Sequence, residues 1–226
     1  MDATEVLTRL ESVGTAQTRK ILARHGVSGE TYGASYGEMN KLKKKIKVDH
    51  ELAEELWAAG VFEARVVATM IADPDRLRVK DLEEWVRELD SYPITDAFAG
   101  LVARSSLARK RVEKWTKARS EFISAAGWQL LSHLALSDDS LTDAELEGYL
   151  ESIEHGIGNA KNRTKHSMNG ALISIGLRNS ALEKKAIAVA KRIGKVEVDH
   201  GQTSCKTPDA VAYIRKGAAR RKSASR

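Results

Sequence analysis

The sequence predicts an all-α protein built as a stack of antiparallel helix pairs, a helical-repeat solenoid. Three observations predict it. Apolar residues recur at the three-and-four spacing of an amphipathic helix through nearly the whole chain. The composition holds only three prolines in 226 residues, with 30% charged and 5% aromatic side chains, which favours helix over sheet. The amphipathic segments also come in pairs, an acidic one and then a more apolar or basic one, at intervals of roughly 35 to 45 residues. That is the period of helical-hairpin solenoids, in which each pair buries its apolar face on the next. A compact irregular bundle is the alternative that the same periodicity allows.

The elements follow in order. ATEVLTRLESVG spaces Val6, Leu7, Leu10 and Val13 on one stripe. Gly26 to Asn40 is rich in Gly, Tyr and Ser and reads as a connector. HELAEELWAAG carries Leu52, Leu56 and Trp57 on one face and ends at Gly60, a C-cap residue. FEARVVATMIA is a more apolar helix that stops before Asp73-Pro74. DLEEWVREL turns Leu82, Trp85, Val86 and Leu89 inward, and Pro93 opens the next helix at its first position. VEKWTKARSEFISAAGWQLLSHLAL reads as one or two helices. LTDAELEGYLESIEHG starts on a capping box from Thr142 to Glu145. HSMNGALISIGLRN is apolar and rich in small residues, and LEKKAIAVAKRIG is amphipathic up to Gly194. KVEVDH has a two-residue period but is too short to make a sheet. The last helix takes Thr207 as N-cap and Pro208 as first residue, before a frayed end, KSASR. Residues 1–200 form one helical-repeat domain in this reading, and 201–226 a basic C-terminal helix and tail.

No apolar run approaches the ~18 residues needed to span a bilayer. MDATEVLTRLESVG carries acids and lacks an apolar signal core. A cytoplasmic protein is expected, without a membrane contact. Cys205 stands alone, which excludes an internal disulfide and a cysteine-built zinc site. No cofactor or metal is indicated.

The net charge is +6, and its layout is uneven. KLKKKIK (41–47) holds five lysines and no acid; 49–96 has a net charge of −8, 103–120 of +6, and 121–159 holds eight acids and no Lys or Arg. KNRTKH is basic again. Alternation at the length of one element suggests successive helices pointing to opposite sides, one acidic and one basic. If 41–47, 103–120 and 161–166 share the concave face of a curved stack, the groove is positive and attracts a polyanion. The candidate DNA-contacting residues are Lys43, Lys44, Lys45, Arg109, Lys110, Arg111, Lys161, Arg163, Lys165 and His166.

VDHELAEELWAAGVFEARVVATMIADP, followed by EEWVRELDSYPITDAF, resembles the DNA alkylation repair family, the HEAT-like-repeat DNA glycosylases. WTKARSEFISAAGWQLLSHLAL and KHSMNGALISIGLRN fall in the order that the family requires, so the resemblance covers roughly residues 35–195. It implies a superhelical stack cradling double-stranded DNA in a basic concave groove, and excision of N3- and N7-alkylpurines by a monomer without a cofactor. These lesions are cationic and activated by their own charge. The enzyme's task is then to stabilise an oxocarbenium-like sugar and place a water, which a carboxylate does. By the resemblance Asp96 stands at the catalytic position, four residues after Tyr92, where catalytic members carry Trp. The bland reading of Asp96 is a first-turn carboxylate at a helix N-terminus. The family's groove arginine falls near Ala126 and Gly127, and its second groove Trp near Gly170, so both are absent.

Trp115 and Trp128 read as packing residues, and Arg65 as a structural arginine paired with a nearby acid. His166 and Asn169 stand near the absent Trp. Asp199, His200 and Cys205 lie close in sequence, but without a convincing third ligand they read as a connecting loop. Three functions remain: an alkylpurine glycosylase using Asp96 and Tyr92, a non-catalytic binder of damaged or branched DNA, and a helical-repeat adaptor for an acidic protein.

Overall fold

A computed structural model describes residues 1–224; Ser225 and Arg226, the end of the basic tail, lie outside the described residues, as do the side chains from Lys222 on. All regular structure is helical among the described residues, and KVEVDH forms no strand. The chain forms two compact units, residues 1–107 with 200–204, and residues 108–199 with 205 onward.

The first unit contains α1 (Ala3–Ser12), α2 (Ala16–Arg24), α3 (Tyr36–Ile46), α4 (His50–Ala58), α5 (Phe62–Ile71), α6 (Val79–Trp85) and α7 (Tyr92–Val102). Most helices start on a side-chain cap of the expected kind: Asp2, Thr15, Ser35 and Asp49 each accept a hydrogen bond from the backbone N–H three residues on. Gly60, just beyond α4, takes a left-handed φ of 77° that a side chain would resist. The α5 helix is buried over most of its surface and packs against α3, α4 and α7. Around it Trp57 stacks on Trp85, ring centroids 4.3 Å apart, and Phe98 tilts against Trp57 at 5.8 Å. Arg65 is structural as expected: it donates to Glu88 at 2.5 Å, with its guanidinium 5.4 Å from the Trp57 ring.

The second unit contains α8 (Ala108–Trp115), α9 (Glu121–Ser137), α10 (Asp143–Gly156), α11 (Asn162–Arg178), α12 (Ser180–Ile193) and α13 (Ala210–Ala224). Its centre is the long α9–α11 contact, and α12 and α13 pack on α11. The capping box of Thr142 and Glu145 is present. Arg178 ties off the end of α9 by donating to the carbonyls of Ala135, Asp138 and Leu141 at 2.9 to 3.0 Å.

Two boundaries differ from the sequence reading. The connector does not reach Asn40, because Ser35 caps a helix that starts at Tyr36 and carries the lysine run. Residues 112–136, read as one or two helices, belong to two, α8 and α9, which are separated by 116–120. The last helix starts at Ala210, where Asp209 rather than Thr207 supplies the cap by accepting from Ala212 N–H at 2.8 Å.

Candidate functional site

Helix α7 begins one residue earlier than Pro93 alone suggests, with Ser91 as its N-cap and Tyr92 as its first residue. Asp96 therefore lies beyond the first turn, and the helix has no first-turn acid. The first-turn reading of this carboxylate is thereby removed. Tyr92, Asp96, Gly100 and Arg104 follow at four-residue steps along one side of the helix and its exit. All four line a cavity of about 890 Å³ that lies wholly within the first unit. Asp96 and Arg104 are exposed, and Tyr92 is half-buried.

Helices α2, α3 and α5 supply the remaining walls. From α2 come Thr18, Ile21, Leu22 and His25, and from α5 come Val66, Thr69 and Met70. The imidazole Nδ1 of His25 shares a hydrogen bond with the Tyr92 hydroxyl, and the two rings meet edge to face with centroids 5.7 Å apart. From α3 come Tyr36 and Lys43, seven residues apart and so on one face. Arg104 is steadied by donating to the carbonyl of Thr69 at 3.1 Å.

Tyr36 is the partner of Asp96 that the sequence did not announce. Its phenol pKa is raised, first by burial of the hydroxyl end, then by the Asp96 carboxylate and more weakly by Glu63. Tyr36 therefore stays protonated well into the alkaline range, and remains a hydrogen-bond donor beside an acceptor. Its ring is otherwise open, with 45% of the residue exposed.

A buried carboxylate determines where Tyr36 stands. Glu63, fully buried in the first turn of α5, accepts from Thr31 Oγ1 at 2.7 Å and from the backbone N–H groups of Tyr32, Gly33 and Ala34 at 3.1, 2.7 and 3.1 Å. Four donors on one carboxylate replace the cation that a buried acid usually needs. Gly33 has a left-handed φ of 84°, and a Cβ there would collide with the Thr15 backbone. The connector is also held by Thr15 N–H donating to the Gly33 carbonyl at 3.0 Å. It delivers Ser35 and Tyr36 to the cavity as a fixed strap. The only sequence signal was a lone Glu in an apolar helix.

The expected DNA-contacting residues divide. Lys43, Lys44 and Lys45 are exposed on α3, and Lys43 lines the cavity. On α8 only Lys110 of the 109–111 triplet is a surface cation without qualification. Arg109 is held by Glu145 and donates to Ser140 Oγ at 3.2 Å, and Arg111 is buried, with 9% exposure. At the start of α11, Lys161 is exposed, and Arg163, Lys165 and His166 are half-buried. The Arg163 N–H donates to Glu121 Oε1 at 2.6 Å and Thr164 Oγ1 donates to the Glu121 carbonyl at 3.0 Å, joining the start of α11 to the start of α9. The exposed Lys117 and Arg119, which precede α9, thus stand in the same neighbourhood as 161–163.

Small residues stand where the resemblance expects a groove arginine and a second groove Trp. Ala126 and Gly127 are buried, and a Cβ on Gly127 would lie 2.5 Å from Thr116 N at the end of α8. Gly170 is half-exposed, and a Cβ there meets Ser132 Oγ at an ordinary 3.7 Å. Trp115 and Trp128 are buried packing residues, Trp128 edge-on to Tyr149 at 6.1 Å. Asn169 is buried and donates to the Pro208 carbonyl at 2.9 Å. Asp199 and Cys205 fall in the loop between α12 and α13, with the Asp199 backbone bracketed by Asn162 at 2.8 Å. Among the described residues no group of three His, Cys, Asp or Glu is arranged to hold a metal. Among them, too, no helix is long and apolar enough to cross a membrane.

Comparison with known proteins agrees with this architecture. A family model described as DNA alkylation repair enzyme matches residues 6–214. An uncharacterised protein of Listeria innocua is 32% identical over 217 residues, covering 92% of this chain and 94% of the relative. An uncharacterised protein of Listeria monocytogenes is 30% identical over 223 residues, covering 95% and 96%. A solved structure described as a new family related to the HEAT-like repeat DNA glycosylases, with affinity for branched DNA structures, superposes with a TM-score of 0.89. It is 30% identical, and the match covers 97% of this chain and 95% of that one. The all-α fold is thus the HEAT-like repeat fold.

Proposed function

Because the chain belongs to the DNA alkylation repair enzyme family, we propose that it is a DNA-binding protein of repair that recognises branched or damaged double-stranded DNA. One observation carries this reading: the first-unit cavity sets Asp96 and two tyrosines beside Lys43 and Arg104, with Lys44 and Lys45 continuing the positive charge along α3. Carboxylate, phenols and cations in one recess suit a strand of bases and phosphates. The solved relative with affinity for branched DNA supports the choice of ligand. The buried Gly127 weighs against catalysis of the family type, because packing excludes a groove cation there.

The reading is tested by titrating a four-way junction and a linear duplex across a salt series. Tighter binding to the junction is expected, with affinity falling steeply as salt rises. Replacing Lys43, Lys44 and Lys45 with alanine lowers the log–log salt slope by about 0.9 for each phosphate that is no longer neutralised. No binding at low salt rejects the reading.

Base excision is the second reading, favoured by the exposure of Asp96 into the cavity. Here the substrate is an N3- or N7-alkylated purine, and Asp96 supports the cationic sugar and the attacking water, with Tyr92 beside the sugar. Measuring the release of 3-methyladenine and 7-methylguanine from methylated DNA decides it. Excision predicts release that drops about 100-fold or more in Asp96→Asn. No release by the wild type leaves binding alone.

A further inference from the structure

Resting on the DNA-binding reading above, we propose that the cavity of the first unit receives one unpaired nucleotide of a branched DNA, its base lying against Tyr36 and its amino edge turned to Asp96. Size is the first argument. A recess of about 890 Å³ falls within the range of sites that enclose a small organic ligand, so a single displaced nucleotide can enter it and a duplex cannot.

Chemistry is the second argument. Ile21 and Tyr36 leave 42% and 45% of their surfaces uncovered beside the cavity, and Met70 adds apolar wall. A flat aromatic ring covers such surfaces by stacking, whatever the base. Asp96 accepts and cannot donate while ionised. Adenine, cytosine and guanine each offer an exocyclic amine to it, and thymine offers none. The Tyr36 phenol, kept protonated beside the carboxylate, adds no second negative charge where the base stacks. Lys43 and Arg104 supply positive charge for the adjoining phosphate, and Arg104 is already oriented by its bond to the Thr69 carbonyl.

Energetics is the third argument. Extruding a base from a paired duplex costs a few kcal/mol of unstacking and unpairing, and a branch point offers an unpaired base without that cost. A site that rewards insertion therefore favours branched over linear DNA with no contact to the branch itself.

The test uses the full chain and a junction carrying 2-aminopurine at an unpaired branch-point position, with the same probe in a paired arm as control. Anisotropy of a remote dye reports binding, and 2-aminopurine emission reports insertion. Emission is expected to change at least about twofold only for the unpaired probe, as stacking requires. Tyr36→Ala and Asp96→Asn, both at exposed positions, abolish that change. In competition with unlabelled junctions, adenine or cytosine at the position outcompetes thymine about tenfold with the wild type, and Asp96→Asn levels them. Binding with unchanged emission, or with no preference against thymine, overturns the inserted base and leaves the DNA-binding reading standing. Absence of an anisotropy change overturns both.

Discussion

Gly127→Arg, the substitution that supplies the charge the family resemblance expects near this position, is expected to destabilise the protein by about 3 kcal/mol instead of restoring a function. The reason is the closeness of α8 and α9. A Cβ at 127 would stand 2.5 Å from Thr116 N, 2.7 Å from the Trp115 carbonyl carbon and 2.9 Å from Trp115 Cβ. Two of these three atoms are backbone, so no rotamer change relieves the clash. Trp115 is 1% exposed, so the helices cannot part without opening its indole to water. For a chain of this size such a loss lowers the unfolding midpoint by roughly 6 to 12 °C, measurable by calorimetry or by circular dichroism on heating. Gly170→Ala is the control. Its Cβ meets only Ser132 Oγ at 3.7 Å, and replacing a helical glycine with alanine leaves stability equal or higher. A variant Gly127→Arg that melts with the wild type would show that the α8–α9 contact is not a close-packed one, and would reopen the groove-arginine position.

The helices were legible where packing follows period. Val6 and Leu10, Leu52, Leu56 and Trp57, and Leu82, Trp85 and Val86 are all buried on the faces that their spacing predicts. The start of α3 was not, because its buried stripe is only Met39 and Leu42 in a run of lysines, and the glycines before it outweighed the Ser35 cap. Asp96 and Tyr92 were legible through the family resemblance, and the structure brings both to one cavity. His25, Tyr36 and Glu63 were not, because each acts through a partner far along the chain; His25 and Tyr92 are 67 residues apart. The same distance effect misled the charge reading. Counting Lys and Arg locally cannot reveal that Glu145, 36 residues on, holds Arg109, or that helix α8 turns Arg111 inward. Charge segregation reports which segments are basic, and tertiary pairing decides which of those charges face solvent.

Glu63→Leu is expected to lose at least about 3 to 5 kcal/mol, the scale for removing one side of a buried, charge-assisted network. Leucine fits an apolar helix such as α5, and by burial alone the change would look favourable. The penalty arises on the strap side. Tyr32, Gly33 and Ala34 each present an N–H to the carboxylate; once it is removed the buried Ala34 N–H has no acceptor, and the buried Gly33 N–H keeps only Thr31 Oγ1 at 3.3 Å. Hydrogen bonds to an ionised acceptor are worth about 1.5 to 3 kcal/mol each, and the penalty is limited only by how far the strap can peel into solvent. Peeling is the specific outcome to measure. Hydrogen exchange at 31–34 should accelerate more than exchange in the α4–α5 core, and the Tyr36 phenol should titrate closer to its ordinary value as it loses its burial and leaves Asp96, by more than the weaker direct loss of the Glu63 charge. Glu63→Gln keeps one carbonyl acceptor and the shape, so it should fall between the two in stability and keep more of the Tyr36 shift. If Glu63→Leu is as stable as the wild type and leaves Tyr36 titration unmoved, the carboxylate does not hold the strap, and Tyr36 is placed by the Ser35 cap of α3 alone.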